Sequence, residues 1–383
     1  MSSGAFVGLI SGTSMDGIDA VVAEFVDDRP QVLAADTMQF SADLRAALDR
    51  ARADPDQYPS AQLARLDAQL GAALAAAASR IIEQSGLARD QIIAIGSHGQ
   101  TVLHRADADP AHTLQIGDPT RIVEQTGCTV VADFRRADLA AGGQGAPLAP
   151  LLHRAVLASD QEDRLVINLG GIANVTQLPR SEAMVDDAPR VSGFDTGPAN
   201  CLIDDWYRRE HPDAGRFDVN GDWARTGQVD AQWLEMLLKD GYFHRTPPKS
   251  TGIEYFSPAW LSAHLPDDAD QRPADIQATL SEFTAVSLAA QIERFVPMRI
   301  DRMLLCGGGV HNRYLLERLQ AQWPQTPIES TEDHGMHPDH VEALLFAWLA
   351  RERIEGRVIH TPPITGAQRP LLLGAIVGAT PTG

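Results

Sequence analysis

Four short stretches of this 383-residue chain combine glycine, hydroxyl and carboxylate residues in patterns that can do chemistry. The first is Gly12-Thr13-Ser14-Met15-Asp16-Gly17-Ile18-Asp19. A turn of small residues can aim several backbone N–H groups at one oxyanion, and the Thr13 and Ser14 hydroxyls add donors. Asp16 could hold Mg²⁺ through water. No Lys follows the glycines and the next segment reads as a strand, so this is not the phosphate loop that opens a helix. The second stretch, Asn168-Leu169-Gly170-Gly171-Ile172-Ala173-Asn174, repeats the design. In the third, Gly193-Phe194-Asp195-Thr196-Gly197-Pro198-Ala199-Asn200, Asp195 reads as lying on a tight turn ahead of a helix that starts near Asn200. There it is either a fixed base or a capping or Asx-turn carboxylate. The fourth, Cys306-Gly307-Gly308-Gly309-Val310-His311-Asn312, would let a flat ligand lie against backbone. It lacks the dinucleotide fingerprint, which suggests a nucleoside. Each stretch alone also reads as an ordinary turn. Two such phosphate-type turns could clasp a polyphosphate from opposite sides, and beside them Asp195 becomes the candidate base.

The elements that must position these residues follow from apolar patterning. Ala5–Ile10 and Ile18–Phe25 read as a hairpin about the first turn, and Leu165–Leu169 and Ile172–Leu178 as a second about Gly170-Gly171. Two similar hairpins spaced by about a domain length suggest two related domains. Leu63, Leu66, Leu70, Leu74, Ala77 and Ile81 recur at helical spacing, with Gly86 as the stop. Strands at Gln91–Ile95 and Thr129–Ala132 lead into Ser97–Thr101 and Asp133–Arg136, and the glycines of Ala140–Pro147 look like a domain junction. A long helix over Ile276–Phe295 feeds a strand at Arg302–Cys306, then a helix from about Asn312 to Trp323, and Val341–Ile354 reads as a last amphipathic helix. Strands alternating with helices indicate an α/β class.

Composition bounds the partners. The formal net charge is 32 − 51 = −19, which argues against nucleic acid or an anionic membrane. An anionic ligand would therefore need local positive potential from backbone amides, arginines or a metal. Cys128, Cys201 and Cys306 are far apart in sequence, so neither a zinc signature nor a disulfide framework is implied, and reduced thiols in the cytoplasm are expected. No signal peptide is read at the start, and no apolar run approaches the roughly 20 residues of a membrane span. His334, His337 and His340, near Asp333 and Asp339, read as a solvated loop rather than a metal site.

The order of these stations resembles that in the superfamily of actin, hexokinase and the heat-shock ATPase. In detail the chain is similar to the anhydro-N-acetylmuramic acid kinase family. The strings that carry the resemblance are GLISGTSMDGID (8–19), GSHGQT (96–101), ADFRRADLAAGGQGAPL (132–148), INLGGIANVT (167–176), GFDTGPAN (193–200) and LLCGGGVHN (304–312). The resemblance implies an α/β fold of two ribonuclease-H-like, actin-like ATPase domains with an interdomain active-site cleft. Domain I would span residues 1–140, with 341–378 packing back on it, and domain II residues 141–340. Gly12 to Asp19 would be the ATP-phosphate motif, joined by Asn168, Gly170, Gly171, Gly307, Gly308, Gly309 and Asn312. Asp195 would be the catalytic base. His98, Gln100, Thr101, Asp133, Arg135, Arg136 and Glu342 would lie around the sugar. ATP and Mg²⁺ would be the cofactors, and the enzyme a cytoplasmic homodimer.

The implied substrate sets a chemical problem, because its 6-oxygen is tied to the anomeric carbon and no free hydroxyl exists there. An economical answer is that Asp195 deprotonates a water that attacks the anomeric carbon, while the departing 6-oxygen accepts the γ-phosphoryl group. The alternatives are a kinase of a free amino-sugar hydroxyl, and a non-catalytic sugar-sensing or polymerising relative.

Overall fold

The computed structural model describes residues 4–12, 17–180 and 191–378. Its strands are β1 (Ala5–Ile10), β2 (Ile18–Val26), β3 (Arg29–Met38), β4 (Ile92–Ser97), β5 (Gln100–Arg105), β6 (His112–Ile116), β7 (Val130–Ala132), β8 (Arg164–Leu169), β9 (Ile172–Leu178), β10 (Ser192–Pro198), β11 (Arg302–Cys306), β12 (Ile328–Ser330) and β13 (Ala375–Val377). The helices that position the site are α1 (Ser60–Ser85), α2 (Arg136–Ala140), α3 (Asn200–Glu210), α4 (Pro273–Phe295), α5 (Arg313–Gln322) and α6 (Val341–Ile354). The chain divides into two units, Met1–Val156 with His340–Gly383, and Leu157–Asp339.

Unit 1 carries a six-stranded sheet in the order β13-β7-β4-β1-β2-β3. Strands β1, β2 and β3 form an antiparallel meander, and β4 and β7 continue parallel to β1. Helix α1 covers one face, burying Leu66, Leu70, Leu74, Ala77, Ala78 and Ile81 completely or nearly so. Each fully buried Leu or Ile of that stripe contributes about 1.5–3 kcal/mol. Gly86 ends the helix in the left-handed conformation, φ 72°.

On the other face α6 lies directly on the strands. A Cβ on Gly8 would sit 1.8 Å from the Ala343 carbonyl oxygen, and one on Gly96 would sit 1.9 Å from that of Phe346. These strand glycines exist to admit the helix backbone. The Ala140–Pro147 stretch lies inside unit 1: Gly143 N–H donates to Asp138 O and Gln144 N–H to Thr365 O. The division therefore falls further along the chain than the glycine-rich stretch suggests.

Unit 2 repeats the plan with a five-stranded sheet, β10-β9-β8-β11-β12. Its first three strands are again an antiparallel meander, and β11 and β12 run parallel to β8. Both units thus show the ribonuclease-H-like strand order in a mixed α/β frame. Helices α4 and α5 back this sheet around Leu165, Ile167, Val175, Leu288 and Leu315. An aromatic cluster of Trp206, Trp233, Tyr242, Phe243, Phe256 and Phe283 forms a further core between α3 and α4.

Candidate active site

In each unit the expected site residues gather where the parallel strands end, the usual place for ligands in such sheets. In unit 1, β1, β4 and β7 present Gly12, His98–Gln100 and Asp133–Arg136 respectively. The ends of β1 and β4 stay paired beyond the strands: His98 N–H donates to Leu9 O (3.0 Å) and Ser11 N–H to Gly99 O (3.2 Å). Thr13, Ser14, Met15 and Asp16 lie outside the described residues. Gly17 leads into β2, and Ile18 and Asp19 are within that strand, where the Asp19 carboxylate accepts from Thr37 Oγ1 (2.6 Å).

His98 and Arg135 are locked together. Arg135 Nε–H donates to His98 Nε2 at 3.0 Å, and Nη1–H donates to Gly145 O at 2.7 Å. The single proton of the imidazole must then sit on Nδ1, which donates to Gly99 O (3.1 Å). Burial, and next the Arg135 charge, hold the His98 ring well below its ordinary pKa, so it stays neutral. Its face rests on Phe346 of α6, centroids 4.6 Å apart. Burial brings the Arg135 guanidinium down to about 10, still charged at neutral pH. Its Nη2 has no hydrogen bond to a described residue, which leaves a cationic donor for an anionic ligand.

Glu342 opens α6 and keeps exposed surface. The protein packed about its carboxyl, then the Asp19 charge, raise its pKa, and Arg135 opposes them. Gln100 is buried and accepts from the Ser11 hydroxyl, while Thr101 Oγ1 accepts from Gln115 (3.1 Å). Asp133 adopts φ 57° and pairs with Arg136 across 3.3 Å at the surface.

Unit 2 places Asp195 differently from the sequence expectation. It lies within β10 and not on a tight turn, and the position capping α3 is Ala199. The small residues of the stretch serve a register shift between Asp195 and Gly197 instead. Across the sheet Asp195 pairs with Asn174, Asn174 with Asn168, and Asn168 with Cys306. These four share one face, while Ile167, Val175 and Phe194 point into the core.

Three bonds from described residues hold Asp195. Its N–H donates to Lys249 O (3.2 Å), its C=O accepts from Tyr242 Oη (2.6 Å), and its Oδ2 accepts from Thr251 N–H (3.0 Å). Burial pushes its carboxyl up to about 6, against the Thr251 N–H and the Lys249 charge. Sequence reasoning missed Lys249, Tyr242 and Thr251, because no periodicity or motif links them to Asp195.

The second turn sits at the end of β8. Asn200 Nδ2 donates to Leu169 O (2.8 Å) and Gly170 O (2.9 Å), bracing it. Gly307 has φ 82°, and a Cβ there would lie 2.4 Å from Asn168 Oδ1, so the two loops touch. Among the described residues none comes within 4 Å of where a Cβ on Gly308 would sit. Asn312 caps α5, its side-chain oxygen accepting from Leu315 N–H (3.0 Å), so that oxygen is already engaged. Beside this loop a cavity of about 430 Å³ is lined by Leu305, Val310, His311, Leu316, Ile328 and Pro338. Nearby, His334 pairs with Glu329 and His311 with Asp339. Among the described residues no three His, Cys, Asp or Glu converge as a metal site.

Comparison with known proteins bears on this geometry. The sequence model described as anhydro-N-acetylmuramic acid kinase matches residues 4–379. The anhydro-N-acetylmuramic acid kinase of Xanthomonas campestris pv. campestris (strain 8004) is 49% identical over 377 residues, 98% of this chain and 97% of that protein. That of Xanthomonas axonopodis pv. citri (strain 306) is 49% identical over 382 residues, 99% of each. That of Xylella fastidiosa (strain Temecula1) is 45% identical over 375 residues, 97% of this chain and 95% of the relative.

Proposed function

We propose that this chain, which belongs to the anhydro-N-acetylmuramic acid kinase family, opens the 1,6-anhydro ring of 1,6-anhydro-N-acetylmuramic acid and phosphorylates its 6-oxygen with ATP. The products are N-acetylmuramic acid 6-phosphate and ADP, and the reaction serves peptidoglycan recycling. Beyond the family itself, one observation carries the mechanism. Asp195 is fixed at its N–H, its C=O and its carboxylate, and burial pushes its carboxyl up to about 6. Such a group is ionised at neutral pH yet basic enough to take a proton.

Asp195 removes a proton from water, and the water oxygen bonds to the anomeric carbon. The bond from that carbon to the 6-oxygen breaks. The 6-oxygen attacks the γ-phosphorus and ADP departs, while the proton on Asp195 passes to solvent. General-base help of this kind is worth about 10²–10⁴-fold. Arg135 Nη2 donates to the lactyl carboxylate, in the manner of guanidinium–carboxylate pairs. His98 fixes Arg135 and stays a neutral acceptor. Gln100, Thr101, Asp133, Arg136 and Glu342 complete the sugar site.

Gly12 to Asp19 in unit 1 and Asn168 to Gly171 in unit 2 bind ATP phosphates, and Gly307–Gly309 with Asn312 lie along the nucleoside. Mg²⁺ takes hard oxygen ligands and one or two carboxylates suffice beside the phosphates. Asp16, which lies outside the described residues, would hold the ion through water. Bound there, the ion would neutralise phosphate charge. A homodimer in the cytoplasm belongs to the same proposal, and light scattering tests the dimer.

The function is tested by ADP release with the anhydro sugar against N-acetylglucosamine and N-acetylmuramic acid. Turnover on the free-hydroxyl sugars alone sinks the reading. In ¹⁸O-water the label should reach the anomeric hydroxyl of the product and stay out of its phosphate. Label at the anomeric position no greater than in product merely incubated in labelled water would remove the water-attack step.

A further inference from the structure

Asp195 sits on the terminal strand of its sheet. The segment Tyr242–Thr251 closes that edge and supplies all three of the bonds that hold Asp195. One side chain of the segment, Lys249, has an unusual setting. Its Nζ lies 4.5 Å from the centroid of the Tyr242 ring and 5.3 Å from that of Phe295 on α4. It donates to Gln291 Oε1, and Gln291 Nε2 donates in turn to Phe243 O at 3.1 Å. Lys249 is thereby bolted to α4 and to the ring whose hydroxyl holds the Asp195 carbonyl.

No carboxylate of a described residue pairs with Lys249, although the chain carries 51 acidic residues against 32 basic ones. Its neighbours are cations. Arg245 lies over the Tyr242 ring at 5.7 Å, and Arg294 over the Phe295 ring at 5.0 Å. Burial, then Arg294 and Arg245, bring the Lys249 ammonium down to about 8, and the opposing acidic group is Asp195. The groups that face Asp195 are thus Asn174 from β9, Thr251 N–H and Lys249 from the closing segment, and the Tyr242 hydroxyl, while Gln291 and Arg294 of α4 face Lys249. Tyr242 remains a neutral donor, because burial and then the Asp195 charge push its pKa up. Of the described cations, Lys249 is the one whose field lowers Asp195.

We propose that Lys249 is a positioning residue for Asp195: it anchors the Tyr242–Thr251 segment to α4 and supplies the positive charge that this segment brings to the Asp195 carboxylate. The inference rests on the reading of Asp195 as the base. A purely structural lysine would be replaceable by any side chain that packs on the two rings. A positioning lysine acts through charge, so its removal shows as a change in the pH at which Asp195 titrates.

Lys249→Met retains the apolar stem, and Lys249→Arg retains the charge. Two readouts are needed. The Thr251 amide resonance, followed across pH in the sugar-free protein, reports Asp195 titration without turnover. The pH profile of kcat/KM for the anhydro sugar reports the same group in action. With Lys249→Met both midpoints should rise by roughly half a unit to one unit. Then kcat/KM falls about three- to ten-fold near pH 5 and less than about twofold near pH 8.5, and Lys249→Arg restores both. An unmoved Thr251 midpoint, or a loss of activity equal at every pH, overturns the proposal. A moved midpoint in an enzyme that stays active as Asp195→Asn keeps the coupling and removes the base, so the two readings fail separately. Should Lys249→Met fail to melt cooperatively, Gln291→Leu carries the test through the anchor, with a smaller shift in the same direction.

Discussion

The two units end their parallel strands in the same way and furnish those ends by different means. In unit 1 the candidate site is made of side chains that bond one another: Arg135 to His98, Ser11 to Gln100, Asp133 to Arg136. In unit 2 Asp195 is held by backbone N–H and C=O groups and one phenol, and no described side chain neutralises its carboxylate by direct contact. The first arrangement suits recognition, because each partner fixes the orientation and protonation of the next. The second suits proton transfer, since the carboxylate stays rigid while its basicity is set by burial and a lysine not in contact with it. Strand order is shared, so the division of labour arises from the loops and closing segments attached to the strand ends.

If that division is right, the heaviest loss comes from unit 2. Asp195→Asn keeps an acceptor for the Thr251 N–H and removes the base. Turnover measured by ADP release should fall at least about 10²–10⁴-fold, with ATP affinity by calorimetry changed less than about twofold. A variant retaining more than a few per cent of the rate would assign the base elsewhere.

The next largest effect should come from unit 1 and should appear in binding. Arg135→Ala removes a charge-assisted bond worth about 1.5–3 kcal/mol, so KM for the sugar should rise about ten- to hundred-fold. The KM for ATP should move little. Equal rises in both would mean that the substitution had disturbed the unit through Gly145 and His98, and Arg135→Lys, which keeps charge but not the fork, then separates contact from packing.

These contrasts were unequally visible in the sequence. The hairpins were legible because apolar runs alternate with glycine at Gly12, Gly17, Gly170 and Gly171, and α1 because its leucines recur at helical spacing. Asp195 read as a turn residue because Gly193, Thr196, Gly197 and Pro198 surround it, yet those residues serve an edge strand with a register shift. Gly8 and Gly96 carried a signal that strand patterning hides: each marks where the α6 backbone touches the sheet, which is what brings Glu342 within the field of Asp19 and Arg135. The closing segment around Lys249 left no trace, since Asp195 and Thr251 are far apart in sequence and their bond uses a backbone donor any residue possesses.

A milder test uses pH. The base must be ionised, and burial has raised its carboxyl from 3.8 to about 6. Activity is therefore full above that value and is lost as pH falls through it, so kcat/KM should decline about tenfold per unit below about pH 6. His98 cannot supply this limb, because burial and Arg135 hold its ring well below the usual histidine range. His98→Asn should lower activity and leave the limb where it is. A limb that vanished with His98 would reverse the roles given to the two units.

The smallest effect concerns stability, and its sign differs between the units. A carboxyl whose folded pKa is raised disfavours the fold once it ionises: nothing is lost below the unfolded value of 3.8, and the full cost is present above about 6. Two pH units correspond to a ceiling of about 3 kcal/mol, and the part-exposed carboxylate reduces this to about 1–2 kcal/mol. Asp195→Asn should thus raise the melting temperature by a few degrees near pH 8 and by less near pH 5. Asp138 in unit 1 is the counterpart. It is fully buried, its Oδ1 accepts from Thr365 Oγ1 (2.7 Å), and its Oδ2 accepts from Gly145 N–H (2.8 Å). Asp138→Asn replaces one acceptor oxygen with an amide donor and disturbs this pair of bonds, and should cost about 1–3 kcal/mol. Calorimetry of the two variants decides the matter. If both lower the melting temperature, Asp195 is a structural carboxylate like Asp138, and the stored cost that marks it as the reactive group does not exist.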